Sequence, residues 1–431
     1  MKESTNGIRL CRFTESFYPY PGGISVHVTR LSEKINPYLE KQIVLTPFLQ
    51  ASDEVRTFDF EIIYRRHMIK KGRFFKSIGY FFEDLPALVK TVKEEEINLI
   101  HAHSWRPGII ATIVGRLTST PVIWTVHGMG PYRLQQNIEP SQLMEKRFKL
   151  RPFYFLRYFV DCANTRQRLR LFFSTAPLIK IFQPERIFAV QDGTSTDILL
   201  SLLTNRKKIV RVYHGIDIPE KERLDKLKTR TKKKMGGKFD KRFILITTSR
   251  LVRDKGLEYA IFALKHLREK YNLSNAVLVI IGDGPMKREL KEVAQDCNLS
   301  ENVIFTGPLN KSEVAEYLSI ADVYLGTGIY GNRNNATMEA MAYRVPAVIF
   351  YNKWDGYPEN AVICVPARDY KSMADAVYNL YGNTKKRAEL TKHAISMLKE
   401  YNSWEKRIET EVREYRALIS KDDLDKQVIN G

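Results

Sequence analysis

At 431 residues the chain is too long for one ordinary domain, so two are expected, and its 44% hydrophobic and 11% aromatic content excludes a disordered chain. Its formal net charge of +20 says nothing about fold but predicts attraction to anionic partners: nucleotides, phospholipid surfaces or nucleic acid. The four cysteines, Cys11, Cys162, Cys297 and Cys364, have neither metal-ligand nor redox spacing, which leaves free thiols of a reducing compartment. No apolar run is long enough to span a bilayer, and the N-terminus has no apolar signal core. The expectation is a soluble, cytoplasmic chain, at most peripheral at a membrane.

Short apolar runs at residues 7–13, 42–46, 61–64, 97–103, 121–126, 186–191 and 208–213 predict strands, with helical spacing between them. Gly22 and Gly23 open a helix whose apolar positions are Ile24, Val28, Leu31 and Ile35, and glycines there let backbone approach a ligand. A tight turn explains them equally well. Trp105, Arg106 and Pro107 start the next helix. His101 and His103 end one strand and share a face, and His127 follows another strand immediately before Gly128. An imidazole at that edge can donate to a sugar or phosphate oxygen or take part in proton transfer. A structural histidine is the competing reading for each of the three.

Residues 144–188 break the alternation by interleaving Arg and Lys with Phe, Tyr and Leu. As helices they suit an anionic membrane surface, or they bury their aromatics and leave the charges as a solvated rim. Single-stranded nucleic acid is disfavoured because no RNA-binding motif accompanies them. Residues 219–242 are polar and strongly basic and read as an exposed connection between domains. Strands resume at residues 242–248, 276–281, 302–306, 321–325, 345–350 and 361–365, so a doubly wound α/β sheet is expected twice over. The GDGP turn at residues 282–285 lacks the full dinucleotide glycine spacing, so no NAD site is inferred, and there is no P-loop. Residues 373–418 read as helical, with breaks near Gly382 and Asn402.

Two short segments behind strands of the second half carry the most chemistry. Arg250 and Lys255, five positions apart, suit a diphosphate, one as a planar fork and one as a point charge. Glu339 lies about a turn into a later helix, with Thr337 and Met338 before it. Free N–H groups at a helix start suit phosphate oxygens, and a carboxylate beside them accepts from sugar hydroxyls. Together these fit a nucleotide sugar. Solvated cations and a carboxylate satisfied at its own helix start are the plainer alternative.

The ordered series FYPYPGGISVHVTRL, LIHAHSWRPG, VIWTVHG, VYHGIDI, TTSRLVRDKGLEYAI, LVIIGDGP, VIFTGPL, ADVYL, TMEAMAYRVP, DGYPENA and YNSWEKR resembles the retaining glycosyltransferases of the GT-B fold, family-4 group, nearly end to end. The resemblance implies two Rossmann-like domains facing a cleft. The acceptor domain would span residues 1–217 with the helix 403–431 packing back on it, and the donor domain residues 218–402. It implies that Arg250 and Lys255 hold the diphosphate and stabilise it as a leaving group, and that Glu339 binds the ribose. It places backbone of Thr337 and Met338 at the diphosphate, Gly307, Pro308 and Leu309 beside the base, and Gly22 and Gly23 across the cleft. His127 would contact the transferred sugar or the reacting centre. No cofactor and no metal are implied. The donor is a UDP- or GDP-sugar, and the acceptor a glycan or a polyprenyl- or phospholipid-linked sugar.

The chain departs from the family pattern at several points. Gly331 stands eight residues before Glu339 where a second Glu is usual, with Asn332, Asn334 and Asn335 as candidate substitutes. Arg344 stands for a usual Gly, His214 for a usual Asn, and one glycine of a pair is replaced in the sequence Asp355-Gly356-Tyr357. A non-catalytic protein binding a nucleotide sugar or partner, and a basic binding module for membrane or nucleic acid, are the alternatives.

Overall fold

The structure is a computed structural model and describes residues 7–15, 17–18, 23–47, 57–65, 73–127, 181–190, 204–329, 335–351, 357–358 and 360–429. The chain divides into two compact units, Met1–Gly215 with Trp404–Gly431, and Ile216–Ser403.

In the first unit, β1 (Arg9–Thr14), β2 (Lys41–Pro47), β3 (Glu61–Arg65), β4 (Leu99–His103), β5 (Val122–Val126), β6 (Arg186–Val190) and β7 (Ile209–Val212) form one sheet. Its order is β3-β2-β1-β4-β5-β6-β7, with neighbours parallel. Helices α1 (Gly23–Ile35), α2 (Arg73–Glu94) and α3 (Trp105–Thr118) belong to it. In the second unit, β8 (Phe243–Thr248), β9 (Ala276–Ile281), β10 (Val303–Gly307), β11 (Val323–Gly326), β12 (Ala347–Phe350) and β13 (Ile363–Val365) form a parallel sheet in the order β10-β9-β8-β11-β12-β13. Its helices are α4 (Lys221–Lys234), α5 (Leu257–Tyr271), α6 (Lys287–Asp296), α7 (Lys311–Ile320), α8 (Asn335–Ala342), α9 (Tyr370–Leu380) and α10 (Thr384–Tyr401). The chain then returns to the first unit as α11 (Trp404–Ile429).

The strands are apolar without alternation because both faces of each sheet are covered. In β8, Phe243 and Leu245 join a core with Leu257, Ile261 and Leu264 of α5, while Ile244 and Ile246 join the opposite core with Met338 and Met341 of α8. In the first unit, Cys11, Phe13, Ile100 and Ala102 face one core. Leu10, Leu99 and Ile123 face the other, which is closed by Ile35 of α1 and by Ile408, Val412, Tyr415 and Leu418 of α11.

Residues 219–242 are not an exposed linker. Most of them form α4, which belongs to the second unit and packs on α7. Leu224 and Thr231, seven apart, are buried and Leu227 is half-buried, a narrow stripe that the surrounding Lys and Arg mask in the sequence. Lys and Arg are themselves good helix formers. Of the basic-aromatic stretch 144–188, residues 186–188 are part of β6, with Ile187 and Phe188 fully buried, so they face no membrane. Residues 144–180 lie outside the described residues. Ile24 on α1 is exposed, while Val28, Leu31 and Ile35 are buried.

Candidate active site

Each sheet is parallel, so the carboxyl ends of its strands share one edge, and ligands of such sheets bind where the strand order reverses. In the second unit that reversal lies between β8 and β11. Arg250 and Lys255 follow β8, and α8, with Thr337, Met338 and Glu339, follows β11.

The loop bearing Arg250 is bolted to the turn after β9. The Ser249 N–H donates to the Ile281 carbonyl at 3.0 Å, Leu251 to Asp283 at 2.9 Å, and Met286 back to Leu251 at 2.9 Å. A Cβ on Gly282 would lie 1.9 Å from the Ser249 carbonyl oxygen, and one on Gly284 2.5 Å from that of Leu251. The glycines of the GDGP turn are therefore demanded by this close backbone approach. Lys255 ends a 3-10 turn held against the segment after β11. Thr327 Oγ1 donates to the Lys255 carbonyl at 2.9 Å, and the Ile329 N–H donates to Asp254 at 3.1 Å. Gly256, with φ +57°, closes that turn, and a Cβ there would lie 2.6 Å from the Thr327 carbonyl oxygen.

Charge pairing separates these two cations from three of their neighbours in sequence and space. Arg253 pairs with Glu289 at 3.2 Å, Lys287 with Asp283 at 3.4 Å, and Lys311 with Asp217 at 2.9 Å. Arg250 is exposed and Lys255 half-buried, and neither has an ion-pair partner among the described residues. Thr337 and Met338 are buried, and Thr337 is hydrogen-bonded to the buried Tyr324, which also bonds Thr247 and Thr248. Their side chains belong to the core, and what they offer a ligand is backbone N–H in the first turn of a helix. The Glu339 carboxylate has no hydrogen-bond donor among the described residues, and burial pushes its pKa up, opposed by Lys311 and reinforced by Asp217. It is an acceptor with unspent capacity. Asn335 Oδ1, at the start of the same helix, is likewise buried without a partner among the described residues. Gly307, at the end of β10, has φ +76° and accepts from the Gly282 N–H at 2.9 Å, with Pro308 exposed and Leu309 half-buried beyond it.

In the first unit the strand order reverses between β1 and β4. The period of two places Arg12, His101 and His103 on the face that begins with Leu10 and Leu99, and the register sets Arg12 opposite His101 and His103 opposite Thr125. His127 follows β5. The rings of His101 and His103 stack at 4.5 Å, those of His103 and His127 at 5.4 Å, and those of His127 and His214 at 5.8 Å. His27 of α1 meets His214 edge-on at 4.2 Å and stacks on Trp404 at 5.5 Å. A Cβ on Gly215 would strike the Trp404 ring at 2.4 Å. Arg407, Glu411 and Tyr415 of α11, at i, i+4 and i+8, close the cluster from above. Arg407 bonds Glu411, and the Tyr415 hydroxyl donates to Glu411 Oε2 at 2.7 Å.

All five imidazoles are held well below their usual range, by burial first and then by neighbouring imidazoles and the Arg12 and Arg407 guanidiniums. His214 is pushed down to about 3. The cluster is therefore a stack of neutral rings able to donate or accept hydrogen bonds.

The structure thus collects Arg250, Lys255, Thr337, Met338 and Glu339 around one reversal point, with Gly307 to Leu309 two strands away from β8 on the same edge. His127 stands at the corresponding edge of the first unit, and Gly23 is the first residue of α1. Gly22, Gly331, Asn332 and Asn334 lie outside the described residues. The residues that sequence reasoning passed over are Arg12, His27, Arg407, Glu411, Tyr415 and Tyr324. A lone Arg inside the apolar run LCRF and the four-residue spacing on α11 were the available signals.

Two family profiles match the chain in tandem: one described as Glycosyltransferase Family 4 over residues 21–220, and one described as Glycosyl transferases group 1 over residues 228–397. Among curated proteins, the UDP-Gal:alpha-D-GlcNAc-diphosphoundecaprenol alpha-1,3-galactosyltransferase of Escherichia coli is 25% identical over 317 residues, covering 73% of this chain and 70% of its own. The alpha-monoglucosyldiacylglycerol synthase of Streptococcus pneumoniae is 22% identical over 356 residues, covering 80% and 72%. Among solved structures, Anabaena HepE in complex with UDP superposes with a TM-score of 0.67 over 95% of this chain and all of its own, at 14% identity, a likeness of fold.

Proposed function

The chain belongs to the group 1 glycosyltransferases of the GT-B fold, and we propose that it moves a sugar from a nucleoside diphosphate donor, UDP- or GDP-linked, to a lipid-linked or glycolipid acceptor. The observation that carries this reading is the pair of unpaired cations, Arg250 and Lys255, at the strand-order reversal beside the start of α8. There the guanidinium grips diphosphate oxygens as a fork and the ammonium as a point charge. Both stabilise the charge that develops on the diphosphate as its bond to the sugar carbon breaks, a role that asks for no metal ion. Backbone N–H groups of Thr337 and Met338, in the first turn of α8, add to this at the helix start. Glu339 accepts from the ribose hydroxyls, and Asn335 Oδ1 supplies the acceptor that Gly331 lacks. His127 bonds the transferred sugar. Transfer proceeds with retention, as the family resemblance implies.

Support for the acceptor class comes from the relatives. The E. coli enzyme is named for a diphosphoundecaprenol-linked sugar and the S. pneumoniae enzyme for a diacylglycerol glycolipid. The net charge of +20 suits work at the anionic cytoplasmic face of a membrane. Among the described residues no helix is long and apolar enough to cross one.

The test is a thermal-shift screen against UDP, GDP, ADP and their sugars, followed by transfer assays with the stabilising donor and polyprenyl-diphosphate or diacylglycerol-linked sugars. A ligand at 100 times its Kd adds about 2.7 kcal/mol. Lys255→Ala is expected to abolish transfer and weaken donor binding with the fold intact, and unchanged turnover in that variant sinks the assignment. Gly331 motivates a second reading, a non-catalytic binder, which predicts donor-induced stabilisation with no product from any acceptor.

A further inference from the structure

We infer that Arg12 and His103 are positioning residues whose hydrogen-bond chain holds His127 as the neutral tautomer protonated on Nδ1, so that the site receives an N–H donor and not a lone pair. The inference rests on the reading of His127 as a residue that touches the ligand.

The Arg12 guanidinium carries hydrogen-bond donors and no acceptor. It is fully buried and held from three sides. Its Nε donates to Gln42 Oε1 at 3.4 Å, its Nη2 lies 3.8 Å from Glu411 Oε2, and its Nη1 lies 2.8 Å from His103 Nε2. His103 Nε2 must therefore accept, and carries no proton. A neutral ring has one proton, so that of His103 sits on Nδ1. His103 Nδ1 lies 3.1 Å from His127 Nε2 and donates to it. His127 Nε2 is thereby spent as an acceptor, and the proton of that ring sits on Nδ1. His127 Nδ1 is buried and has no partner among the described residues. Among the four imidazole nitrogens of the relay it is the open one, and it is a donor.

The neighbouring ring does not divert the chain. Tyr415 gives its only proton to Glu411, so its oxygen accepts from His101 Nδ1 at 2.5 Å, and His101 Nε2 accepts from Thr125 Oγ1 at 2.6 Å. His101 thus turns a donor toward Arg12, which stands 3.4 Å from that nitrogen, too far for a strong bond. The short guanidinium bond goes to His103. In this state His127 has no free lone pair and cannot remove a proton from an acceptor hydroxyl. It bonds an oxygen of the ligand, and Arg12, with one ring between them, decides which of its nitrogens does so.

The experiment is long-range proton–nitrogen NMR of the full chain labelled with nitrogen-15 in histidine, at neutral pH and without ligand. A nitrogen–nitrogen coupling across the hydrogen bond identifies the His103–His127 pair without any variant. Both rings are expected as Nδ1–H tautomers, and Arg12→Met is expected to leave His103 and His127 as mixtures of both forms. An Nε2–H tautomer for either ring in the unmodified protein overturns the inference, as do unchanged tautomers in a folded Arg12→Met protein. Should that variant fail to fold, the unmodified spectrum decides alone. Because it is read on the free protein, its failure leaves the transfer reaction to be judged separately by the donor and acceptor assays.

Discussion

Gly282 shows how a residue remote from the charge chemistry governs it. Its φ of +134° and the 1.9 Å that a Cβ would leave to the Ser249 carbonyl admit only glycine. Gly282→Ala is expected to cost roughly 1–3 kcal/mol in backbone strain and to push the loop of Arg250 off its hydrogen bonds to the turn after β9. Gly236, with φ +56° but open space around it, is the control. Its Ala variant should lose about 1 kcal/mol and no donor affinity. Melting curves and donor titrations of the two proteins separate the effects, and equal loss of donor affinity in both would refute the scaffold role. His214 makes a related point. Where the family resemblance expects an Asn, the imidazole extends the ring stack between His27 and His127.

At the scale of elements, α8 ends where the resemblance expects a glycine and Arg344 stands instead. Arg344 is left-handed, with φ +59°. Its N–H reaches the Met341 carbonyl at 2.9 Å, and the Val345 N–H reaches Ala340 at 3.0 Å, the paired bonds of a Schellman ending. A side chain in that conformation costs about 1 kcal/mol, and the Arg344 Nη1 bond to the Pro219 carbonyl, 3.0 Å long, returns a comparable amount. Arg344→Gly is therefore expected to melt close to the unmodified protein. Arg344→Ala, which keeps the strain and loses the bond, should be less stable by about 1 kcal/mol. An Ala variant as stable as the unmodified protein would show that the bond to Pro219 contributes nothing. Helix α4 teaches the reverse lesson about elements. Its stripe of Leu224, Leu227 and Thr231 is too narrow to stand out among so many cations, and packing on α7 decides that the segment is helical.

At the scale of the molecule, five neutral buried imidazoles make the first unit sensitive to acid. An unfolded histidine binds its proton near pH 6.5, and the folded ones bind theirs far lower, His214 at about 3. Between those values the unfolded chain holds more protons, so stability is full above about pH 6.5 and falls as the pH drops. The groups that face the stack are Arg12, Arg407, Glu411 and Tyr415. With two guanidiniums to one carboxylate they oppose further positive charge. Each imidazole contributes about 1.4 kcal/mol per pH unit while the difference lasts. Urea unfolding of the full chain, followed by fluorescence of the buried Trp124 and Trp404, should show a midpoint at pH 5.5 well below that at pH 7.5. His214→Asn should flatten the dependence, and equal midpoints at the two pH values would contradict it.

The sequence by itself determined the strand–helix alternation, because strands covered on both faces must be apolar throughout, and each of the thirteen apolar runs lies on a strand of the two sheets. It also determined which residues emerge at the carboxyl edge of a sheet, since a segment that follows a parallel strand begins there, whereas the strand order decided that these flank the reversal. Arg250, Lys255, Thr337, Met338 and Glu339 were legible for that reason. Only the tertiary structure decided the rest. That Arg12, His101, His103, His127 and His214 form one cluster closed by α11 depends on sheet register and on a helix some three hundred residues away, neither of which leaves a local pattern. That the glycines of GDGP serve the Ser249–Leu251 loop depends on how closely two turns approach. Local spacing records the period of an element, whereas burial, pairing and protonation are properties of neighbours, and neighbours are chosen by the fold.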